Sequence, residues 1–483
     1  MKTIFVVLDH GLGLAYFLDT DLTRFLVDAG VRVVFLVQDA VLPRVKDSFQ
    51  HPLVTFESMR DGKVLEWQKA NRPGLQELVD YVRKASADRS IPLTYVDTHR
   101  QRKEYEARGR RRHVLKALRP LIYLLRRSKR ARLQFRRALD RYFTPHLYDD
   151  LFDRYQPDLV VSDTAGWRLD QYLLREATRR GIPTSTVIIG WDNPSSQGLP
   201  GAFVDTVNVW SEVHKWELTA GVDWPPEKVH VGGMPLYDGY ISGKWVLPRE
   251  EYYRQHNLDP NKRLVAFAAT ALSISPNLHI IEALAGMIAR QELDQPSQLL
   301  IRLHPNHFKP MNHYREECAA IMALAERYPD VHVVEPKEVP GGLERYSGED
   351  YYEKASMLTY CDVLVTIYST MVVEATLHDK PIISACINSP EGWKDKFWIP
   401  LEQVPGWPTA ARVNAAGAGK TVMTVDELRE ALNEYLAHPE QEAEQRRRFV
   451  ESELTYLHGE STRRTADFLL SLVGRETDGN RSI

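Results

Sequence analysis

"VTIYSTMVVEATLHDKPII", residues 365–383, sets the hydroxyls of Ser369 and Thr370 between a short apolar run and a helix-like segment with Glu374 one turn in. That order suits a phosphate and its sugar. Backbone N–H groups and the helix dipole hold an anion, hydroxyls add donors, and a carboxylate one turn on accepts from ribose hydroxyls. Ser and Thr are equally ordinary N-caps and Glu is common in a first turn, so the stretch alone also fits plain capping. The other strand ends of the chain decide between the two.

Short β-rich runs alternate with longer amphipathic segments from the first residue onward. "TIFVVL" (3–8), "VRVVFLV" (31–37), "DLVVS" (158–162), "TSTVII" (184–189) and "TVNVW" (206–210) read as buried parallel strands, and the segments between them, such as 15–29 and 168–180, have helical periodicity. The succession stops at "KVHVGGMPLYDGYIS" (228–242), where Gly232, Gly233 and Pro235 punctuate the chain. A second one follows: "RLVAFAAT" (263–270), "QLLIRLHP" (298–305), "VHVVEP" (331–336), "DVLVTIYS" (362–369) and "KPIISA" (380–385), with 425–473 helical. The fold class is therefore α/β with two Rossmann-like domains, 1–240 and 241–483, the second keeping the terminal helices. Open α/β sheets bind ligands at the carboxyl ends of their strands, so such a pair is expected to face its site across a cleft.

A chain of 483 residues, 43% hydrophobic and 26% charged, is globular and too long for one ordinary core. No apolar run approaches the ~20 residues of a membrane span, and "MKTIFVVLDHGLG" has too short a core for a signal peptide, so a cytoplasmic location is expected. Cys318, Cys361 and Cys386 lack paired metal-ligand spacing and read as buried fillers. The net charge of −3 hides a basic block: residues 100–141 carry 17 Lys and Arg against 3 Asp and Glu. Such a block inside an otherwise acidic chain points to a phosphate-rich partner, or else to a solvated helix face. Aromatic residues are sparse within it, which disfavours nucleic acid. Leu115, Leu118, Leu121, Ile122, Leu125, Leu133, Phe135 and Leu139 interleave with the arginines as in an interfacial amphipathic helix, divided at Pro120, and predict docking on an anionic membrane surface.

Each strand of the second half ends in polar residues. Thr270, Ser273 and Ser275 follow "VAFA"; Arg302, His304 and Pro305 follow "LLIR"; Ser369 and Thr370 follow "VLVTIY". A diphosphate could use donors from three strand ends together, whereas an accidental capping turn does not predict that coincidence. The phosphate reading of 365–383 is therefore preferred.

With "RLHPN" at 302–306 and "YST" at 368–370, the chain resembles GT-B enzymes that carry an His-Pro motif and a downstream Ser-Ser or Ser-Thr motif, among them polysialyltransferases, capsule Kdo transferases and the glycerophosphotransferases of teichoic acid synthesis. The resemblance implies that His304, Ser369 and Thr370 bind the phosphate of a nucleotide donor, without metal. A second stretch, "IGWDNPSSQGLPGAFVDTVNVWSEVHKWEL" (189–218), is similar to bacterial glycosyltransferase-like proteins with a Trp-Asp-Asn…Ser-Ser-x-Gly loop, often associated with surface polysaccharide synthesis. Its Asp192, Asn193, Ser195 and Ser196 crowd polar groups onto a strand end, either as an acceptor site or as a turn.

The first βα turn, "LDHGLGLAYF" (8–17), lets the backbone approach closely at Gly11 and Gly13, but Tyr16 stands where the dinucleotide fingerprint needs its third glycine, which disfavours NAD. An inverting sugar transfer needs a base for the acceptor hydroxyl, and His10 has the suitable ordinary pKa, with Asp9 or Asp192 as fallback. His304 and His307 could suggest a metal, but Pro305 breaks their spacing and no carboxylate cluster accompanies them, so no metal and no cofactor are expected.

Together these features describe a glycosyltransferase peripheral to the inner membrane face. It moves a sugar from a nucleotide donor held by Thr270, Ser273, Arg302, His304, Ser369, Thr370 and Glu374 to a surface-glycan or lipid-linked acceptor. The same motifs also serve CDP-polyol phosphotransfer, and the same architecture serves nucleotide-sugar 2-epimerases.

Overall fold

The computed structural model describes residues 1–47, 49–271, 274–308, 312–335, 348–389 and 399–473. The chain divides into two compact units, Met1–Asp238 with Leu454–Ile483, and Gly239–Glu453. The first is built on a seven-stranded parallel sheet: β1 (Thr3–Leu8), β2 (Arg32–Val37), β3 (Val54–Ser58), β4 (Leu159–Ser162), β5 (Thr184–Val187), β6 (Thr206–Val209) and β7 (Val229–Val231), in the order β3-β2-β1-β4-β5-β6-β7. β1 and β4 are buried at every position, as continuous Val/Ile/Leu runs covered by helices on both faces require.

The second unit holds six parallel strands, β8 (Arg263–Ala268), β9 (Ser297–Arg302), β10 (Val331–Val334), β11 (Val363–Thr366), β12 (Ile382–Ala385) and β13 (Lys420–Val422), in the order β10-β9-β8-β11-β12-β13. Both sheets are doubly wound, and the order reverses between β1 and β4 in one and between β8 and β11 in the other. Those two reversals are where such sheets open a crevice beyond the strand ends.

The division between the sheets falls close to residue 240, but the last helix does not stay with the second unit. Asp238 accepts from the N–H groups of Ser461 (3.2 Å) and Thr462 (2.7 Å), and Asn208 of β6 donates to Thr465 Oγ1 (3.1 Å). These contacts fasten the helix Ser461–Val473 to the first unit.

The basic block is four helices, Thr94–Glu106, Gly109–Ala117, Arg119–Leu125 and Lys129–Tyr142. Pro120 sits in the first turn of the third, where its missing N–H costs nothing. Part of the apolar stripe expected at a membrane faces the core instead: Leu115, Ile122, Leu125 and Leu139 are buried. Several arginines are likewise internal, since Arg132 pairs with Asp223 and Asp88 and Arg126 donates to Ala85 O and Asp97. Val114, Leu121, Tyr123, Leu124 and Leu133 remain exposed among exposed Arg112, Lys116, Arg127, Lys129 and Arg130. No helix of the described residues is long and apolar enough to cross a membrane.

Candidate functional site

In the second unit, Thr366 Oγ1 donates to Ala268 O at 2.9 Å and ties the end of β11 to that of β8. Tyr368 follows in a left-handed backbone, φ 24°, uncommon for a bulky residue. Its phenol is anchored on Asn414 (2.6 Å) and Thr421. The strained residue turns the chain so that Ser369 and Thr370, both half-buried, lead into the helix Met371–Leu377. Ser369 Oγ accepts from Met371 N at 3.2 Å, whereas Thr370 makes no side-chain cap. Capping therefore accounts for one hydroxyl of the pair.

One turn on, Glu374 is 5% exposed, with Oε1 on Lys354 Nζ at 2.8 Å and Oε2 without a partner among the described residues. A buried carboxylate oxygen left unsatisfied costs on the order of 1–3 kcal/mol, so this atom is suited to accept from a bound hydroxyl.

His304 lies half-buried at the end of β9, and its carbonyl accepts from His307 N at 2.9 Å. The His307 ring bridges that carbonyl (Nδ1, 3.0 Å) and Glu317 (Nε2, 2.8 Å). Glu317 also accepts from the N–H groups of Asn277 and Leu278, and the Asn277 amide clamps both backbone groups of Thr270 at 2.8 and 3.1 Å. Glu317 thus fixes the ends of β8 and β9 at once. Neither Glu317 nor Asn277 stands out in the sequence, because each acts through a loop that only the fold closes.

Two expectations change here, and one falls elsewhere. Arg302 is 6% exposed and its guanidinium sits on Asp350 at 2.8 and 2.9 Å, so its charge is matched inside the fold rather than offered to a phosphate. Thr270 is 3% exposed and is held through its backbone. Ser273 lies outside the described residues.

In the first unit, the strand ends at the reversal carry carboxylates. Asp163, just beyond β4, accepts from the N–H groups of Asp9 (3.1 Å) and His10 (2.9 Å), at the start of the helix Gly11–Leu18 that follows β1. Asp9, just beyond β1, accepts from Leu169 N (2.6 Å) and Asp170 N (3.2 Å), at the start of the helix Asp170–Arg179 that follows β4. Each strand end thereby caps the helix of the other. Gly13 is required by this packing, since a Cβ there would run into the Asp163 carboxylate. Asp170 accepts in turn from Gly166 N (2.9 Å) and Arg168 N (3.1 Å). Burial, then the neighbouring Asp9 and Asp170 charges, push the Asp163 carboxyl well above the usual range, and burial and Asp9 push Asp170 up to about 7.

Asp9 is consequently no fallback base: it is 1% exposed, and Gln38 Nε2 takes its other oxygen at 2.8 Å. His10 caps the helix that follows it, its Nδ1 accepting from Leu12 N at 3.1 Å. The carboxyl of half-buried Asp192 feels the His10 ring: burial raises it above the usual range, and the Ser196 hydroxyl and His10 offset this in part.

The remaining loop residues divide. Asn193 closes its own turn, with Oδ1 accepting from Gly190 N at 2.9 Å, and Ser195 is 1% exposed with its hydroxyl on Asp192 O. Both are turn residues rather than acceptor contacts, while Ser196 reaches Asp192. His146, Asp149 and Glu176 come within metal-ligand reach of one another, but Glu176 and Asp149 are already shared with Arg179 and Arg180, which makes the group an ion-pair network.

No family profile and no curated protein matches the sequence. Among solved structures, the chain is similar to the UDP-GlcNAc 2-epimerase of Neisseria meningitidis bound to UDP-GlcNAc, at 12% identity and TM-score 0.51, over 97% of this chain and 100% of that one. It is similar to a glycosyltransferase of Rickettsia africae at 9% identity and TM-score 0.52, over 98% and 99%. Sucrose-phosphate synthase of Thermosynechococcus elongatus matches at 13% identity and TM-score 0.50, again over 98% and 99%. With two doubly wound parallel sheets and alignment over nearly the full length of such proteins, the chain has the GT-B fold.

Proposed function

We propose that the protein is a nucleotide-sugar enzyme, a metal-independent inverting glycosyltransferase that passes a sugar to a surface-glycan or lipid-linked acceptor at the inner membrane face. One observation carries the reading: the two sheet reversals are chemically opposite. In the first unit the helix starts are filled by Asp9 and Asp163, whose carboxyl groups already take the N–H groups there and leave no seat for a phosphate. In the second, no carboxylate among the described residues accepts from the Ser369–Met371 turn, and Glu374 one turn on keeps one oxygen open. The nucleotide belongs to the second unit, with Ser369, Thr370 and His304 at its phosphates and Glu374 at its ribose. Acid–base chemistry belongs to the first, where Asp192 takes the acceptor proton beside the His10 ring.

Binding of UDP, GDP and CMP compared by thermal shift tests this directly. His304→Ala, or the Ser369→Ala/Thr370→Ala double, should weaken binding of the preferred nucleotide at least tenfold with the fold intact, because charge-assisted phosphate contacts contribute ~1.5–3 kcal/mol each. Affinities within twofold of the parent in both variants would remove the site from the second unit.

The fold likeness to 2-epimerases favours a second reading, epimerisation of the nucleotide sugar itself. Conversion of a nucleotide sugar with no acceptor present would select it.

Membrane docking rests on the exposed part of the basic helices. Each Lys or Arg near an anionic surface contributes ~1 kcal/mol, and Leu121, Leu124 and Val114 add apolar contact. The protein should co-sediment with phosphatidylserine vesicles at low salt and be released at high salt. Changing Arg112, Lys116, Arg127, Lys129 and Arg130 to Gln should abolish the low-salt binding, and equal binding of both proteins to neutral vesicles would count against electrostatic docking.

A further inference from the structure

A cavity of about 280 Å³ opens in the first unit between the helices Asp61–Ala70, Pro73–Lys84 and Asp170–Arg179. Its chemistry is specific. Gln68 Nε2 donates to Tyr172 Oη at 2.6 Å, and Tyr172 Oη donates to Gln76 Oε1 at 3.3 Å, which leaves Gln68 Oε1 as an acceptor with no partner among the described residues. Phe143, Leu139 and Val79 give the same cavity apolar wall.

Two arginines border the cavity, but neither presents charge to it. Arg83 is 1% exposed and bonds Leu199 O (2.7 Å), Trp167 O (3.0 Å) and Asp80 (2.7 Å). Arg175 is 2% exposed and bonds Phe143 O (2.6 Å), Gly201 O (2.9 Å) and Gln171 Oε1 (2.7 Å). With both arginines engaged, the lining offers an anion one exposed cation, Lys69, against the carboxylates Glu77 and Asp80, too little free positive charge for a built anion site; with amides in the wall it disfavours a lipid chain. Gln76 Nε2 is spent on Asn71 O and Gln68 O, so the open polar atoms are Gln68 Oε1 and the remaining lone pair of Tyr172 Oη; such acceptors beside an aromatic wall match a neutral polyol that has an apolar ring face. The volume lies just below the ~300–1,000 Å³ of drug-sized sites and suits a unit of sugar size.

The position also fits. Gln171 and Tyr172 stand in the first turn of the helix whose start is held by Asp9, next in sequence to His10. Arg83 and Arg175 tie down Leu199 and Gly201, directly after the loop that carries Asp192 and Ser196. We propose that this cavity binds one neutral sugar unit of the acceptor glycan, an assignment that rests on the glycosyltransferase reading and gives its acceptor a chemical class.

Saturation-transfer NMR on the full chain tests it with glucose, galactose, N-acetylglucosamine and their β-1,4-linked disaccharides as probes, and UDP binding measured in parallel by thermal shift. At least one saccharide should give a saturable signal that falls fivefold or more in Gln68→Ala/Gln76→Ala. Both sites are on helices where Ala is well tolerated, and UDP binding should be unchanged in that variant. No saccharide signal in the parent, a signal indifferent to the two substitutions, or its displacement by equimolar inorganic phosphate would overturn the cavity assignment while UDP binding left the nucleotide reading standing. Saccharide binding with the expected dependence but no nucleotide binding would support the cavity and overturn the nucleotide reading instead.

Discussion

Replacing Asp192 by Asn is expected to lower turnover ~100-fold or more, equivalent to roughly 3 kcal/mol of transition-state stabilisation, while nucleotide affinity stays within twofold. The substitution preserves size and leaves the Asp192 carbonyl, which accepts from Ser195 and Ser196, in place. It removes only the proton acceptor. Since burial raises this carboxyl, the parent enzyme should also gain activity with pH through a midpoint above the usual carboxylate range, because the protonated acid cannot accept the acceptor's proton. The comparison variant is His10→Asn, which keeps an N-cap acceptor for Leu12 N while replacing the ring. Nucleotide release from the preferred donor is the readout. If Asp192→Asn retained most of its turnover and His10→Asn lost it, the base would be the histidine after all.

The second large effect is on stability. A carboxyl whose folded pKa stands above its unfolded value keeps a proton in the fold that the unfolded chain has already released. Stability therefore falls as pH rises from the unfolded value near 4 to the folded value, and the loss is complete above it. For Asp170, pushed up to about 7, the window between pH 5 and pH 8 should cost on the order of 2 kcal/mol. Asp163 moves in the same direction. The melting temperature of the parent should accordingly drop between pH 5 and pH 8, and Asp170→Asn should flatten that drop, gaining on the parent at pH 8 relative to pH 5. Parallel profiles for the two proteins would mean that the cluster does not titrate in this window.

Most of both sheets could be read from the chain because their central strands are buried on both faces and so appear as unbroken apolar runs. Three strands could not. β3 (VTFES), β7 (VHV) and β13 (KTV) lie at sheet edges, are only partly buried, and carry Glu, His, Lys or Thr where an interior strand would carry Val or Ile. The candidate site divides along similar lines. Ser369, Thr370 and His304 stand just past the ends of β11 and β9, positions that the apolar runs before them mark whichever side chains they carry. Arg302 occupies such an end too, but its partner Asp350 is 48 positions away and approaches only in the folded unit. The hold of Leu12 N on His10 Nδ1 is likewise a contact that no spacing rule reveals.

The exchange of caps between β1 and β4 also shapes how the first unit can move. Asp9 belongs to one half of the sheet and serves the helix of the other; Asp163 does the reverse. A fluctuation that frays either helix start exposes a carboxylate whose own backbone neighbours are held from the opposite side, so the two βα units have little freedom to open separately. The four amide protons of Asp9, His10, Leu169 and Asp170 belong to one cooperative opening, and the residues around His10 inherit the rigidity of both halves of the sheet.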